Sequence, residues 1–148
     1  MKIKIICIGK IKEPYLVDGI KEFSKRMNKY AALEVLEIPE DNNKNSELSK
    51  DKEGNNILAR IKDGEYVIAL DLIGKEICSE DLSRIIQKTS KIVFIIGGSY
   101  GLSKDVLYRA NIRISFSKLT FTHQMIRLFL YEQIYRAFTI INHENYHK

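Results

Sequence analysis

Residues 92–101 read Ile-Val-Phe-Ile-Ile-Gly-Gly-Ser-Tyr-Gly, and this stretch is the most informative one for the fold. A continuous apolar run rich in β-branched residues favours a strand that is buried on both faces, as strands of parallel sheets are. The glycines that follow allow the backbone to turn sharply and to come close to a ligand. The stretch therefore predicts a central strand that ends in a tight glycine loop.

Apolar strands and amphipathic helices alternate along the rest of the chain, which is typical of an α/β fold with a mostly parallel sheet flanked by helices. No internal repeat or linker interrupts the pattern, so we expect a single domain over residues 1–148. The predicted strands are residues 2–8, 33–38, 66–72, 92–96 and 112–116. The predicted helices are residues 14–29, 46–60, 79–89, 103–110 and 122–141, with Ser46 and Thr122 as N-caps.

Composition narrows the class of protein. The chain of 148 residues is 45% hydrophobic and 29% charged, as expected of a globular domain, and its net charge of +5 is compatible with a polyanionic partner. Its two cysteines, Cys7 and Cys78, lack metal-ligand spacing, so we expect buried thiols in a cytoplasmic protein and no metal site. Charged residues interrupt the apolar C-terminal helix, which argues against a membrane span.

Three segments follow predicted strands at the edge of the sheet where ligands of α/β proteins bind. They are Leu70–Gly74, Gly97–Gly101 and Ser115–Thr122. The glycine segment is neither a GxGxxG nor a P-loop motif, and a purely structural turn explains it equally well. The third segment is rich in hydroxyl groups and is followed by His123 and Gln124, although Thr122 alone could simply cap the helix.

The helix over residues 122–141 is apolar on almost every side. Either the core of the domain encloses it or one side packs on another subunit. Arg127, Tyr131 and Tyr135 share one face, which would either present a cation and two rings to RNA or pack against another subunit, with an ion pair from Arg127 to Glu132 or a neighbour. The tail over residues 142–148 lacks apolar periodicity, so we expect it to project from the domain.

Several of these segments match a known family. The chain resembles the ribosomal RNA large-subunit pseudouridine N3-methyltransferases, which are small members of the SPOUT (α/β trefoil-knot) superfamily. The resemblance extends over essentially the whole chain. Its motifs are Ile8–Lys10, Phe94–Leu102, Ser115–Met125, Glu132–Phe138 and Tyr146–Lys148.

This resemblance implies a C-terminal deep trefoil knot and a homodimer in which the knot helices pack together. It also implies that S-adenosylmethionine binds in a bent conformation inside the knot. The family's cofactor contacts correspond here to the following residues: Leu70, Gly97, Phe116, Ser117, Lys118, Leu119, Thr120 and Phe121.

The same resemblance implies a substrate, a pseudouridine in a hairpin loop of large-subunit RNA within the assembled ribosome. The second subunit is expected to contribute its tail, which makes Tyr146, His147 and Lys148 candidates for substrate contact, together with Arg127. Methylation at N3 requires loss of a proton from the base, and His123, Arg136 and His147 are the candidate catalytic groups.

Two other classes of protein remain open at this point. A ribosome-binding protein without enzymatic activity would share the basic charge, but it would need no small-molecule pocket. A nucleotide-dependent oxidoreductase would share the sheet. It should carry a phosphate-binding fingerprint after the first strand, which Gly9-Lys10-Ile11-Lys12 does not provide.

Overall fold

A computed structural model describes all of residues 1–148 and contains five strands and five helices in strict alternation. In chain order they are β1 (Lys2–Ile8), α1 (Pro14–Met27), β2 (Ala32–Ile38), α2 (Ser46–Leu58), β3 (Tyr66–Glu76), α3 (Ser79–Gln87), β4 (Lys91–Ile96), α4 (Lys104–Arg109), β5 (Ile112–Ser115) and α5 (His123–Ile141).

The strands form one parallel sheet in the order β2-β1-β4-β3-β5, which confirms the predicted α/β class. The central strand is β4, the apolar run that precedes the glycine loop. Its neighbouring residues Phe94 and Ile95 face opposite sides of the sheet, and both are 0% exposed. The predicted burial on both faces is therefore confirmed.

Helices cover both faces of the sheet. On one face, Met27 of α1, Leu82 of α3 and Leu130 of α5 pack with the sheet in the larger hydrophobic core. On the other face, Ile57 of α2 and Val106 of α4 complete a smaller core. None of the helices is both long enough and apolar enough to cross a lipid bilayer.

The N-cap of α2 differs from the prediction. The cap is Asn45, whose side chain accepts hydrogen bonds from the backbone N–H groups of Glu47 and Leu48, and Ser46 is the first helical residue. Gly54 within this helix permits close packing on α4, because a Cβ at that position would lie 2.3 Å from Ser103 Oγ. The glycine that weakens the helical pattern in the sequence thus serves a helix-helix contact.

Strand β3 is longer than predicted and pairs with β5 in two separate places. Ile114 of β5 lies opposite Leu70 and again opposite Lys75, so residues 71–74 leave the pairing between these two points. They pass directly over β5, since a Cβ at Gly74 would lie 2.8 Å from the backbone of Arg113 and Ile114. The trefoil knot that the family implies stays a prediction.

Helix α5 packs against the sheet, α1 and α3, which explains why it is apolar on several sides. Tyr131 and Ile134 are almost completely buried in the larger core. The tail does not project as expected. Instead it folds back on the domain, where the Tyr146 hydroxyl donates a hydrogen bond to Glu132 and His147 lies within hydrogen-bond distance of Glu80.

Candidate active site

A cleft of about 710 Å³ lies at the carboxyl ends of β3, β4 and β5. Its volume is in the range typical of small-molecule sites. The three segments selected from the sequence converge there, as predicted. The lining consists of residues 70–72, 96–102, 114–117, 119–124 and Ile126.

The glycine loop forms one wall of the cleft and is folded tightly on itself. A Cβ at Gly97 would lie 2.9 Å from the carbonyl carbon and oxygen of Gly101, so no side chain fits there without movement of the backbone. Gly101 has a φ of 82°, a left-handed conformation that favours glycine, and its N–H donates to the Gly98 carbonyl. These glycines therefore allow the backbone itself to form the wall.

The loop between β5 and α5 forms the opposite wall and is held by its own hydroxyl groups. The Ser115 hydroxyl donates to the Ser117 carbonyl at 2.9 Å, and the Ser117 hydroxyl accepts from the Leu119 N–H at 3.0 Å. Thr122 caps α5 by accepting from the Met125 N–H, as predicted. Lys118 is the one predicted cofactor contact that does not line the cleft, and its side chain is exposed.

A single fixed charge lines the cleft. Asp71 is the only aspartate, glutamate, lysine or arginine among the lining residues. Its Oδ2 atom is shielded from solvent and has no hydrogen-bond partner, and it is the one such side-chain atom in the protein. The segment that contains Asp71 is recognisable from the sequence, but Asp71 is not, because an acidic residue near the end of a strand is not distinctive by itself.

His123 lies at the cleft, beside the loop that follows β1. Its Nε2 atom is 3.6 Å from the position that a Cβ on Gly9 would occupy. The next residue contributes a second contact to the same loop, because the Lys12 N–H donates to Gln124 Oε1 at 3.2 Å. The amino end of α5 is thus attached to the β1–α1 loop at the edge of the cleft.

Arg127, one turn further along α5, is enclosed and is not presented at the surface. The residue is 4% exposed, and its guanidinium donates to Glu37 Oε2 at 2.6 Å and to the Gly9 carbonyl at 2.8 Å. Its ionic partner is therefore Glu37 of β2 and not Glu132. These contacts hold the β1–α1 loop in place next to His123.

The other candidate catalytic residues lie beside a second recess of about 640 Å³ between α3 and α5, which shares Ile114, Phe116, Ser117 and Phe121 with the cleft. Arg136 Nε donates to Glu132 Oε1 at 3.0 Å, and Arg136 Nη1 lies 3.2 Å from His147 Nδ1. The structure therefore separates His123 at the cleft from the pair Arg136 and His147.

Charged partners hold the tail in this position. His147 Nε2 lies 2.8 Å from Glu80 Oε1, and the hydrogen bond from His147 lowers the pKa of Glu80 to about 2. Partial burial and the hydrogen bond to Glu132 raise the pKa of Tyr146, whose ring also lies under the Arg136 guanidinium. Lys148 is exposed, and its side chain donates a hydrogen bond to Asn145.

Residues 1–147 match the family model described as a predicted SPOUT methyltransferase. Ribosomal RNA large subunit methyltransferase H of Clostridium botulinum (strain 657 / Type Ba4) is 50% identical over 159 residues, and the alignment covers 100% of both chains. Ribosomal RNA large subunit methyltransferase H 1 of Clostridium perfringens (strain SM101 / Type A) is 47% identical with the same coverage.

A structural relative supports the fold. A probable methylase family protein from Haemophilus influenzae Rd KW20 superposes with a TM-score of 0.56 at 15% identity, over 95% of this chain and 66% of that chain. The parallel sheet with a cleft at its carboxyl edge defines an α/β protein that binds a small molecule. The full-length match is more specific, and the chain belongs to the SPOUT methyltransferase family.

SPOUT methyltransferases take their methyl group from S-adenosylmethionine, and the cleft fits this cofactor. The molecule carries ribose hydroxyl and ammonium donors, which the unpaired Asp71 oxygen can accept. It also carries a positive sulfonium charge, and the lining has no cationic lysine or arginine to repel it. The predicted cofactor contacts that line the cleft are Leu70, Gly97, Phe116, Ser117, Leu119, Thr120 and Phe121.

Proposed function

We propose that this protein transfers a methyl group from S-adenosylmethionine to N3 of a pseudouridine in large-subunit ribosomal RNA of the assembled ribosome. Residues 1–148 would act as one catalytic domain, in a homodimer in the cytoplasm. The observation that carries the proposal is the cleft, whose three converging segments belong to a chain that matches its rRNA methyltransferase relatives over their full length.

Methyl transfer of this kind is a displacement at carbon. When bound, the cofactor would supply a methyl group on positively charged sulfur, which leaves as a neutral thioether. The walls of the cleft would hold the two reactants in line, and such alignment replaces a bimolecular encounter. The N3 atom must lose its proton as it becomes methylated. His123 supplies the imidazole at the cleft, so we propose that it accepts this proton.

Arg136, Tyr146, His147 and Lys148 are proposed to contact the RNA. In one chain none of them lines the cleft, and the first three contact Glu132 and Glu80 of the second recess, so a role at the reacting base would require a neighbouring subunit. Exposed apolar side chains near the cleft support such a dimer. They are Leu72, Ile73, Leu119 and Phe121, with exposures of 52%, 84%, 70% and 37%.

The electrostatics at the edge of the cleft suit RNA. Lys10 and Lys12 lie on the β1–α1 loop and Lys118 lies on the β5–α5 loop, and all three are exposed and outside any ion pair. Lysines that neutralise phosphates gain affinity from counterion release. We propose that these lysines contact the phosphates near the target base. Arg127, which is enclosed, is assigned a positioning role instead.

The experiment that tests the proposal is calorimetric titration with S-adenosylmethionine of the parent protein and of Gly97→Ala. The new Cβ would collide with the backbone of Gly101 and distort one wall of the cleft, so we expect affinity to fall at least about tenfold, which corresponds to 1.4 kcal/mol. Gly64→Ala is the matched control. Alanine at Gly64 is strained, because φ is 82° there, but its Cβ meets no atom within 4 Å and lies outside the cleft, so this variant shows whether a strained glycine substitution remote from the cleft affects binding.

The outcomes separate the classes of function. Binding by the parent and by Gly64→Ala, with a loss in a folded Gly97→Ala, would support the proposal and lead to methylation assays on assembled ribosomes and on free RNA. Absence of binding by a folded parent would contradict it and favour a ribosome-binding protein without enzymatic activity.

A further inference from the structure

We propose that Asp71 determines cofactor recognition, by accepting a hydrogen bond from an O–H or N–H donor of bound S-adenosylmethionine. This inference rests on the proposed function and adds a residue to the site that the family resemblance does not supply. It follows from three observations: the chemistry of the cleft, the position of Asp71 on its strand, and the unpaired state of its carboxylate.

The chemistry of the cleft makes Asp71 distinctive. The other lining residues are apolar, glycine or neutral polar groups, apart from the imidazole of His123. Screening by water weakens an electrostatic interaction with a ligand less inside a shielded site than in bulk solvent. A single carboxylate in such surroundings therefore has a large influence on which ligand binds.

The backbone fixes Asp71 at this place. It is the first residue of the segment 71–74, which leaves the pairing with β5 after Leu70 and resumes it at Lys75. Gly74, at the other end of the segment, is in tight contact with the backbone of β5. The segment is therefore anchored on both sides, which holds the backbone of Asp71 at the cleft.

The unpaired carboxylate oxygen is unfavourable unless a ligand uses it. Oδ2 of Asp71 forms no hydrogen bond with the protein and is shielded from water. Leaving a charged acceptor in this state has a cost, and such groups in native proteins often have a functional role. Rotation about the Cβ–Cγ bond is soft, so the carboxylate can turn this oxygen toward the cleft when a donor arrives.

The donor is a ribose hydroxyl, the adenine amino group or the ammonium group of the methionine part. All three groups are present in S-adenosylmethionine and in S-adenosylhomocysteine. Methylthioadenosine retains the ribose hydroxyls and the adenine amino group but lacks the ammonium group. A comparison of these three ligands therefore distinguishes the ammonium group from the donors of the nucleoside.

The test is calorimetric titration of the parent, Asp71→Asn and Asp71→Ala with the three ligands. Loss of a hydrogen bond to a charged acceptor should weaken binding roughly 10- to 100-fold, more for alanine than for asparagine, whose amide oxygen still accepts. We expect the unfolding midpoint to stay level or to rise, because a shielded and unpaired charge is removed. Asp18→Asn on the exposed face of α1 is the control and should bind like the parent.

Weakening of all three ligands assigns the donor to the nucleoside, and weakening that spares methylthioadenosine assigns it to the ammonium group. Equal binding by the parent and by both Asp71 variants would overturn the inference, while the parent's own binding would leave the proposed function intact. A loss confined to S-adenosylmethionine would also overturn it, because the sulfonium group has no hydrogen to donate. A parent that binds none of the ligands would contradict the proposed function itself.

Discussion

Replacement of Arg127 by methionine tests whether the enclosed ion pair holds the edge of the cleft. Methionine retains most of the aliphatic volume but leaves the Glu37 carboxylate and the Gly9 carbonyl without their donor. Removal of one partner of a buried pair typically costs about 3–5 kcal/mol. The arginine side chain is 5% exposed, but that of Glu37 is 36% exposed and can regain water. We therefore expect a loss near the lower limit, about 3 kcal/mol.

The assay is urea unfolding followed by circular dichroism, in a double-mutant cycle of Arg127→Met, Glu37→Met and the double variant. Because the two side chains are in direct contact, the double variant should recover about 1–2 kcal/mol relative to the sum of the single losses. Glu132→Met combined with Arg127→Met is the control, since Glu132 binds Arg136 instead, and these two losses should add.

The reasoning would be refuted by two results. One is a loss below about 1 kcal/mol for Arg127→Met, which would be typical of an exposed pair. The other is additivity with Glu37→Met, which would show that the contact carries no energy. The environment of His123 provides a second measurement beside the double-mutant cycle. The ring signals of His123 in a histidine-labelled NMR spectrum should shift in a folded Arg127→Met variant, because the loop next to this ring loses its anchor.

Two further predictions concern the RNA and the tail. Substitution of Lys10 or Lys12 by glutamine should raise the KM for ribosomes. It should also lower the salt dependence of binding, measured as the slope of log K against log salt concentration, by about 0.7–0.9 per lysine. Lys88→Gln, at the opposite edge of the sheet, should change neither quantity. Because the pKa of Glu80 is lowered in the folded protein, its contact with His147 stabilises the docked tail at pH values above the ordinary carboxyl pKa of 4.5, and this stabilisation is lost as the pH falls toward 2. The NMR signals of His147 should report undocking of the tail in that pH range. Glu80→Gln should abolish the pH dependence.

Much of the fold could be predicted because local patterns determine it. The apolar run that contains Phe94 and Ile95 is recognisable as a strand buried on both faces, and Thr122 is recognisable as a cap before a helix. The prediction of Ser46 as the N-cap of α2 was wrong, because Asn45 and Ser46 are both good capping residues and only the backbone conformation selects between them.

Contacts between distant residues could not be predicted in the same way. Arg127 pairs with Glu37, which is 90 residues away in the sequence. Glu132 was a predicted partner because it lies on the same helix. Docking of the tail depends on Glu80, which is again remote in sequence. The unpaired state of Asp71 is a property of its surroundings, which only the folded chain reveals.

The way in which β3 passes over β5 has a consequence for how the chain folds. All strand pairings are parallel, so no pair can form as a local hairpin, and the central pairing joins Ile3 near the start of the chain to Ile92. The second pairing of β3, at Lys75, can form only after Ile114 has reached its place. Folding should therefore be slow for a chain of this size, because long loops must close before contacts compensate for their entropy. The barrier would be set by the topology of the chain and not by the strength of its core.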